Sequence, residues 1–110
     1  MDGVEITEIA VTDLPDDAVV LDVREPGEWA YGHALNAVHI PLGEVIARFA
    51  ELPVTDGPLP VICRSGARSA QVVAYLVAHG TPAVNVEGGT LAWAAAGKPM
   101  AGGDGAPIVI

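Results

Sequence analysis

Apolar residues in this chain fall into two alternating patterns: short β-branched runs, and stretches in which apolar positions recur at helical spacing. Ala18-Val19-Val20-Leu21-Asp22-Val23 is a near-continuous run of the kind found in a parallel strand covered on both faces. Val4 to Val11 is β-rich and partly alternating, and predicts an outer strand. Ala37–Ile40, Pro60–Cys63 and Pro82–Val86 predict three more short strands, with Pro60 acceptable only at the first position of its strand. Asp13–Asp17, Asp56-Gly57-Pro58 and Glu87-Gly88-Gly89 carry turn chemistry.

The helical stretches lie between these runs. Pro26 to Tyr31 predicts a short helix, with proline at its start and Glu28 in its first turn. Leu42, Val45, Ile46, Phe49 and Ala50 share one face of a helix predicted over Pro41–Glu51 and ended by Pro53. A longer helix begins after Cys63, runs to about His79, buries Ala70, Val73, Leu76 and Val77, and stops at Gly80. Thr90 is placed to cap a last helix through Ala96, with Gly97 as its stop.

Strands alternating with helices imply an α/β fold with a central, mainly parallel sheet and helices on both faces. Ligands of such sheets bind beyond the carboxyl ends of the strands. Three segments should converge there: Asp22 to Glu25, the residues after Cys63, and Glu87 to Gly89.

Composition adds bounds. A length of 110 residues suits a single domain, with a core over about 6–98 and a tail over 99–110. The apolar end of that tail, Pro107-Ile108-Val109-Ile110, reads as an added edge strand or a self-association contact, so a monomer or weak dimer is expected. A formal net charge of −9 argues against nucleic acid and anionic membranes as partners. One cysteine excludes an intramolecular disulfide framework and suits a reducing compartment. Met1–Glu5 has neither the basic nor the apolar region of a secretory leader, so cytoplasm is the expected location.

That cysteine carries the candidate chemistry. In Val61-Ile62-Cys63-Arg64-Ser65-Gly66-Ala67-Arg68-Ser69 it ends a strand and opens a tight loop before a helix. Successive loop N–H groups can form an anion nest, and the helix start adds positive partial charge. A thiol there loses its proton easily, and the thiolate is the reactive form. Gly66 lets the loop turn or approach a ligand closely, and Ser65 and Ala67 leave room over the sulfur. Arg64 and Arg68, two of only five Lys and Arg residues, can neutralise an oxyanion, although two solvated cations would read the same way. Ser69 can hydrogen-bond the thiolate or cap the helix. His33, His39 and His79 lie in other segments, so no general base is evident. Sulfur exchange by a preformed thiolate needs none. No cluster has metal-ligand spacing, and no cofactor is expected.

Taken together, several pieces resemble a rhodanese-like domain of the thiosulfate sulfurtransferase family. They are Val20-Leu21-Asp22-Val23-Arg24-Glu25, Glu28-Trp29, Gly32-His33, Ala37 to Leu42, the Cys63–Ser69 loop, Val86-Glu87-Gly88-Gly89 and Trp93. They follow family order from about Ile6 to Lys98. The resemblance implies a compact α/β domain and a ping-pong enzyme. Cys63 would take the outer sulfur of thiosulfate as a persulfide and pass it to a thiol, to a protein acceptor or, in an assay, to cyanide. It implies that the amides of Arg64, Ser65, Gly66, Ala67 and Arg68 cradle the anion and that Arg68 holds the sulfonate or braces the loop. Asp22 and Arg24 would be supporting scaffold. A persulfide carrier serving a protein partner with weak turnover is the alternative. Related cysteine phosphatases place their arginine one position further on, so the shorter loop here suits sulfur rather than a phosphoryl group. The chain departs from the family at Ala34-Leu35-Asn36-Ala37, which lacks the usual Pro and Gly; Asn36 can adopt the left-handed conformation instead.

Overall fold

The computed structural model describes residues 5–110. Among these, five strands form one sheet: β1 (Glu8–Ile9), β2 (Val20–Asp22), β4 (Ala37–His39), β5 (Leu59–Ile62) and β6 (Ala83–Val86). Their order is β1-β6-β5-β2-β4, and every neighbouring pair is parallel. Helices α1 (Pro26–Tyr31), α2 (Ala67–Ala78) and α3 (Gly89–Ala95) fill the connections. A two-stranded antiparallel ribbon, β3 (His33–Ala34) with β7 (Met100–Ala101), lies beside the sheet.

The period-two alternation of strands divides the core in two. Leu21, Val23, Leu59, Val61, Cys63 and Ala83 point to one face, where they pack on Val72, Val73 and Leu76 of α2. Val20, Ile62 and Val86 point to the other, where they pack on Trp93 of α3 and on Val11 and Leu14. The α/β class, the parallel sheet and helices on both faces therefore agree with the sequence pattern.

Local boundaries differ in instructive ways. Of the predicted Val4–Val11 strand only Glu8–Ile9 pairs; Val11 has already entered a 3-10 turn over Val11–Asp13, and Val4 lies outside the described residues. The predicted Pro41–Glu51 helix is instead two 3-10 turns, Leu42–Glu44 and Phe49–Glu51, joined by irregular turns. Its apolar face is only partly covered. Val45 is buried, but Ile46 is 67% and Phe49 39% exposed, so packing does not offset the poor helix propensity of Gly43 and the β-branched pair. In α2 the buried face is Ser69, Val72, Val73 and Leu76, rather than one containing Ala70 and Val77. Pro60 is second in β5, not first; pairing with β2 begins only at Val61, so its missing N–H costs that ladder nothing. Asn36 has no left-handed backbone; its side chain instead donates to the Asp17 carbonyl at 2.9 Å. The tail contributes its strand earlier than expected, at Met100–Ala101. Beyond it, Ile108 N–H donates to the Tyr31 carbonyl at 2.9 Å.

The end of β2 is tied to α1 by a buried ion pair. Arg24 and Asp22 are both fully buried, with Arg24 Nη2 donating to Asp22 Oδ2 at 2.8 Å and to the Gly32 carbonyl at 2.8 Å. Removing one partner of such a pair strands a buried charge. Asp22→Ala should therefore lower unfolding free energy by about 3–5 kcal/mol, measured by urea denaturation; a loss within the scatter of surface substitutions would show that the pair does not hold this junction.

Candidate active site

The carboxyl end of β5 delivers Cys63 to the amino end of α2, and the intervening loop is shaped by two glycines. Gly66 precedes α2 with φ of 120°, a conformation that side chains rarely adopt. Gly89, across the site, sits so close that a Cβ there would lie 2.5 Å from the carbonyl oxygens of both Cys63 and Arg64. That close approach brings the start of α3 onto the back of the loop. Thr90 N–H and Oγ1–H both donate to the Cys63 carbonyl, at 2.8 and 3.0 Å, and Leu91 N–H donates to the Arg64 carbonyl at 3.1 Å. Thr90 is thus not a helix cap. Gly88 occupies the capping position of α3, and the Thr90 hydroxyl serves the cysteine loop.

With its carbonyls held from behind, the loop turns its donors to the sulfur. Gly66 N–H lies 3.1 Å from Cys63 Sγ and the Ser69 hydroxyl 3.2 Å from it. Cys63 itself is buried. Burial alone pushes its thiol up, but the Ser69 hydroxyl and the amides of Ser69, Gly66 and Ser65 together outweigh it, and the thiol lies below the ordinary cysteine range. Ser69 therefore bonds the sulfur and does not cap α2, whose capping position is Gly66.

The two arginines diverge. Arg68 forms a two-pronged pair with Glu28 of α1, Nη1 to Oε1 at 2.7 Å and Nη2 to Oε2 at 2.9 Å. Arg64 points away, its Nε donating to the Ile110 oxygen at 2.8 Å. Ser65 on the loop and Ala67 at the first position of α2 are exposed. Asp22 and Arg24 lie in their own buried pair, as described above, and do not touch the sulfur. Of the histidines, His33 and His39 stack on Trp29, and His79 stacks on Tyr75 at the far end of α2.

Two residues here escaped the sequence reading. Glu28 was visible as a first-turn acid, but not as the partner of Arg68. Asn85, 2% exposed in β6, accepts from Ser69 and donates to the Gly66 carbonyl and Glu8. Its signal was a polar residue at an inward position of an otherwise apolar strand, two residues after Ala83.

Fold and site together define a class of parallel α/β domains that carry a cysteine loop at the carboxyl end of a central strand. Within that class the chain belongs to the rhodanese-like domain family, which it matches over residues 9–96. It is 38% identical over 91 residues to a sulfurtransferase of Allochromatium vinosum, covering 82% of this chain and 84% of the relative. It is 40% identical over 101 residues to a putative sulfurtransferase of Bacillus subtilis, covering 86% and 97%. Among solved structures, a rhodanese-related protein of Thermoplasma volcanium superposes with a TM-score of 0.76 at 36% identity, covering 86% of this chain and 97% of the other. No described helix is long and apolar enough to cross a membrane.

The Glu28–Arg68 pair has a pH signature. The Arg68 fork is the main cause that holds the Glu28 carboxyl down, from an ordinary 4.5 to about 2; burial opposes it, and the Glu25 amide adds to the lowering. A carboxyl lowered on folding stabilises the fold above its unfolded value and loses that contribution as pH falls through its folded one. Stability should therefore drop between about 4.5 and about 2, and Glu28→Gln should flatten that part of the profile in an acid-unfolding series followed by circular dichroism. An unchanged profile would mean that the pair adds nothing to folding.

Proposed function

We propose that the protein is a sulfurtransferase that carries a sulfane sulfur on Cys63. The observation that carries this reading is the pair of donors at Cys63 Sγ, Gly66 N–H at 3.1 Å and the Ser69 hydroxyl at 3.2 Å, at the start of a twelve-residue helix. Such donors favour the thiolate, and the neighbouring loop amides can hold the charge of a persulfide's outer sulfur. The sulfurtransferase relatives support the same reaction class.

With thiosulfate as donor, the Cys63 thiolate attacks the outer sulfur. A new S–S bond forms to Cys63, the bond to the sulfonate breaks, and sulfite leaves with its electron pair. The outer sulfur now carries the negative charge as Cys63–S–S⁻. An acceptor thiolate then attacks that sulfur, takes it as its own persulfide and returns the Cys63 thiolate; cyanide would leave as thiocyanate. The amides of residues 64–68 receive the anion in this scheme. Arg68 braces the loop against α1 rather than gripping the sulfonate, because its two terminal nitrogens are already engaged by Glu28. A lone thiol that works by exchange belongs in a reducing compartment such as the cytoplasm.

Intact mass before and after thiosulfate, then after cyanide, checks the carrier step. One added sulfur atom that cyanide removes is expected, and Cys63→Ser should abolish both the gain and turnover, since no other thiol exists. Loading that survives in Cys63→Ser would rule the mechanism out. For the arginines, Arg68→Ala should lower kcat/KM for thiosulfate by about tenfold, the scale of one charged hydrogen bond, and by more than Arg64→Ala does. Glu28→Gln separates bracing from direct contact: a lowered kcat/KM supports bracing, whereas a raised one would mean that the freed Arg68 binds the donor.

A further inference from the structure

Ser69 Oγ has more demands on it than it has protons. It lies 3.2 Å from Cys63 Sγ, 2.5 Å from Asn85 Oδ1 and 3.3 Å from the Gly66 carbonyl, yet a hydroxyl donates only once. The Asn85 amide cannot turn over to relieve this. Its Nδ2 faces two acceptors, the Gly66 carbonyl at 3.1 Å and Glu8 Oε2 at 3.0 Å, so Oδ1 must face Ser69. An amide oxygen only accepts, and the Ser69–Asn85 bond therefore uses the one hydroxyl proton.

The position of Asn85 follows from the sheet. It shares its face of β6 with Ala83, which packs beneath α2, so its side chain meets the first turn of that helix. Ser69 and Asn85 are 0% and 2% exposed, which limits help from bulk water. While Cys63 is a thiol, Sγ–H can donate to Ser69 Oγ and Ser69 to Asn85, and the chain of donors is complete. When the thiol ionises, Sγ becomes an acceptor for the same proton, and Asn85 Oδ1 loses it.

We propose that Asn85 is a positioning residue for Cys63 that acts through Ser69: its amide oxygen holds the Ser69 proton while Sγ is uncharged and yields it when the thiolate forms. Asn85 thus opposes ionisation of the free cysteine. Loading, on the sulfur-transfer reading above, moves the negative charge to the outer sulfur and leaves Sγ uncharged, so the proton returns to Asn85. The residue then favours the loaded state over the free thiolate.

The charged groups on the elements around the site are Arg64 on the loop, which points away from the sulfur, Arg68 of α2, Glu25 just before α1 and Glu28 within it, the Asp22–Arg24 pair at the end of β2, which does not touch the sulfur, and Glu8 of β1 behind Asn85. None of them hydrogen-bonds Ser69 Oγ, whose partners are Cys63, Asn85 and Gly66.

The rate of Cys63 alkylation by iodoacetamide, followed against pH, tests the assignment without any sulfur transfer. Asn85→Val removes the competing oxygen, so the midpoint should move to lower pH, with alkylation on the acid limb faster by about tenfold, the scale of one contested buried hydrogen bond. Asn85→Asp supplies a stronger acceptor and a negative charge, and should move the midpoint the other way. Opposite shifts from one position are not what loosened packing produces. In a Ser69→Ala background Asn85→Val should leave the midpoint where Ser69→Ala alone puts it, because the route is gone. Asn85→Ala, which also lacks the oxygen, gives the same reading should the valine variant not fold. An unmoved or raised midpoint in Asn85→Val or Asn85→Ala, or a shift that persists without Ser69, would overturn the proposal. Failure of the parent protein to load sulfur would count against the transfer reading alone and leave the alkylation result standing.

Discussion

The site depends on a division of labour in one short stretch of backbone. The carbonyls of Cys63 and Arg64 are held from behind by the first residues of α3, and this leaves the amides that follow free to face the sulfur. A peptide unit cannot point both its dipole ends the same way, so holding the Arg64 carbonyl turns the Ser65 N–H of the same unit toward the sulfur, and Gly66 N–H follows it in the loop. Other features of the chain serve this arrangement. The parallel sheet brings the end of β5 and the end of β6 to the same edge. Gly89 removes the Cβ that would keep α3 away, and Gly66 supplies the backbone conformation that turns the chain into α2. The Glu28–Arg68 pair then ties the first turn of α2 to α1.

This arrangement explains how a molecule with a net charge of −9 can favour an anion at one point. The arginines beside Cys63 suggest the answer, but their side chains are engaged elsewhere, Arg68 by a carboxylate and Arg64 by a backbone oxygen. Buried N–H and O–H dipoles do the work instead. They carry no net charge to be screened, and burial keeps water from competing for the sulfur. The bulk charge of the chain therefore says little about the local potential at Cys63.

Much of the fold was legible because strands buried on both faces are conspicuous: the Val20–Val23 and Val61–Cys63 runs could hardly be anything else. The cysteine loop was equally plain, since its strand, glycine and helix are contiguous in sequence. What stayed hidden depends on tertiary contact. Leu42 to Ala50 had the right spacing for a helix, but spacing cannot tell how far neighbours will cover Ile46 and Phe49, and both stay exposed in part. Thr90 looked like a cap because threonine before an apolar turn usually is one; only the approach of α3 to the loop reassigns its hydroxyl. Glu28 and Arg68 are forty residues apart, and Asn85 and Ser69 sixteen, so neither pair forms a local motif.

On the proposed sulfur-transfer reading Cys63 both attacks and leaves, and these roles have conflicting needs. Lowering its pKa raises the thiolate fraction and makes it a better leaving group, but it weakens the sulfur as a nucleophile. The site holds these tendencies against each other. Burial raises the pKa, the Ser69 hydroxyl and the loop amides lower it, and the sum falls below an ordinary cysteine. Three of the donors named there are backbone amides, fixed by the fold, whereas the Ser69 hydroxyl can rotate. It is the adjustable member of the set, and its alternative partner, Asn85, is buried on the strand beside it. The balance at Cys63 is thus set by rigid dipoles and trimmed by a single mobile proton.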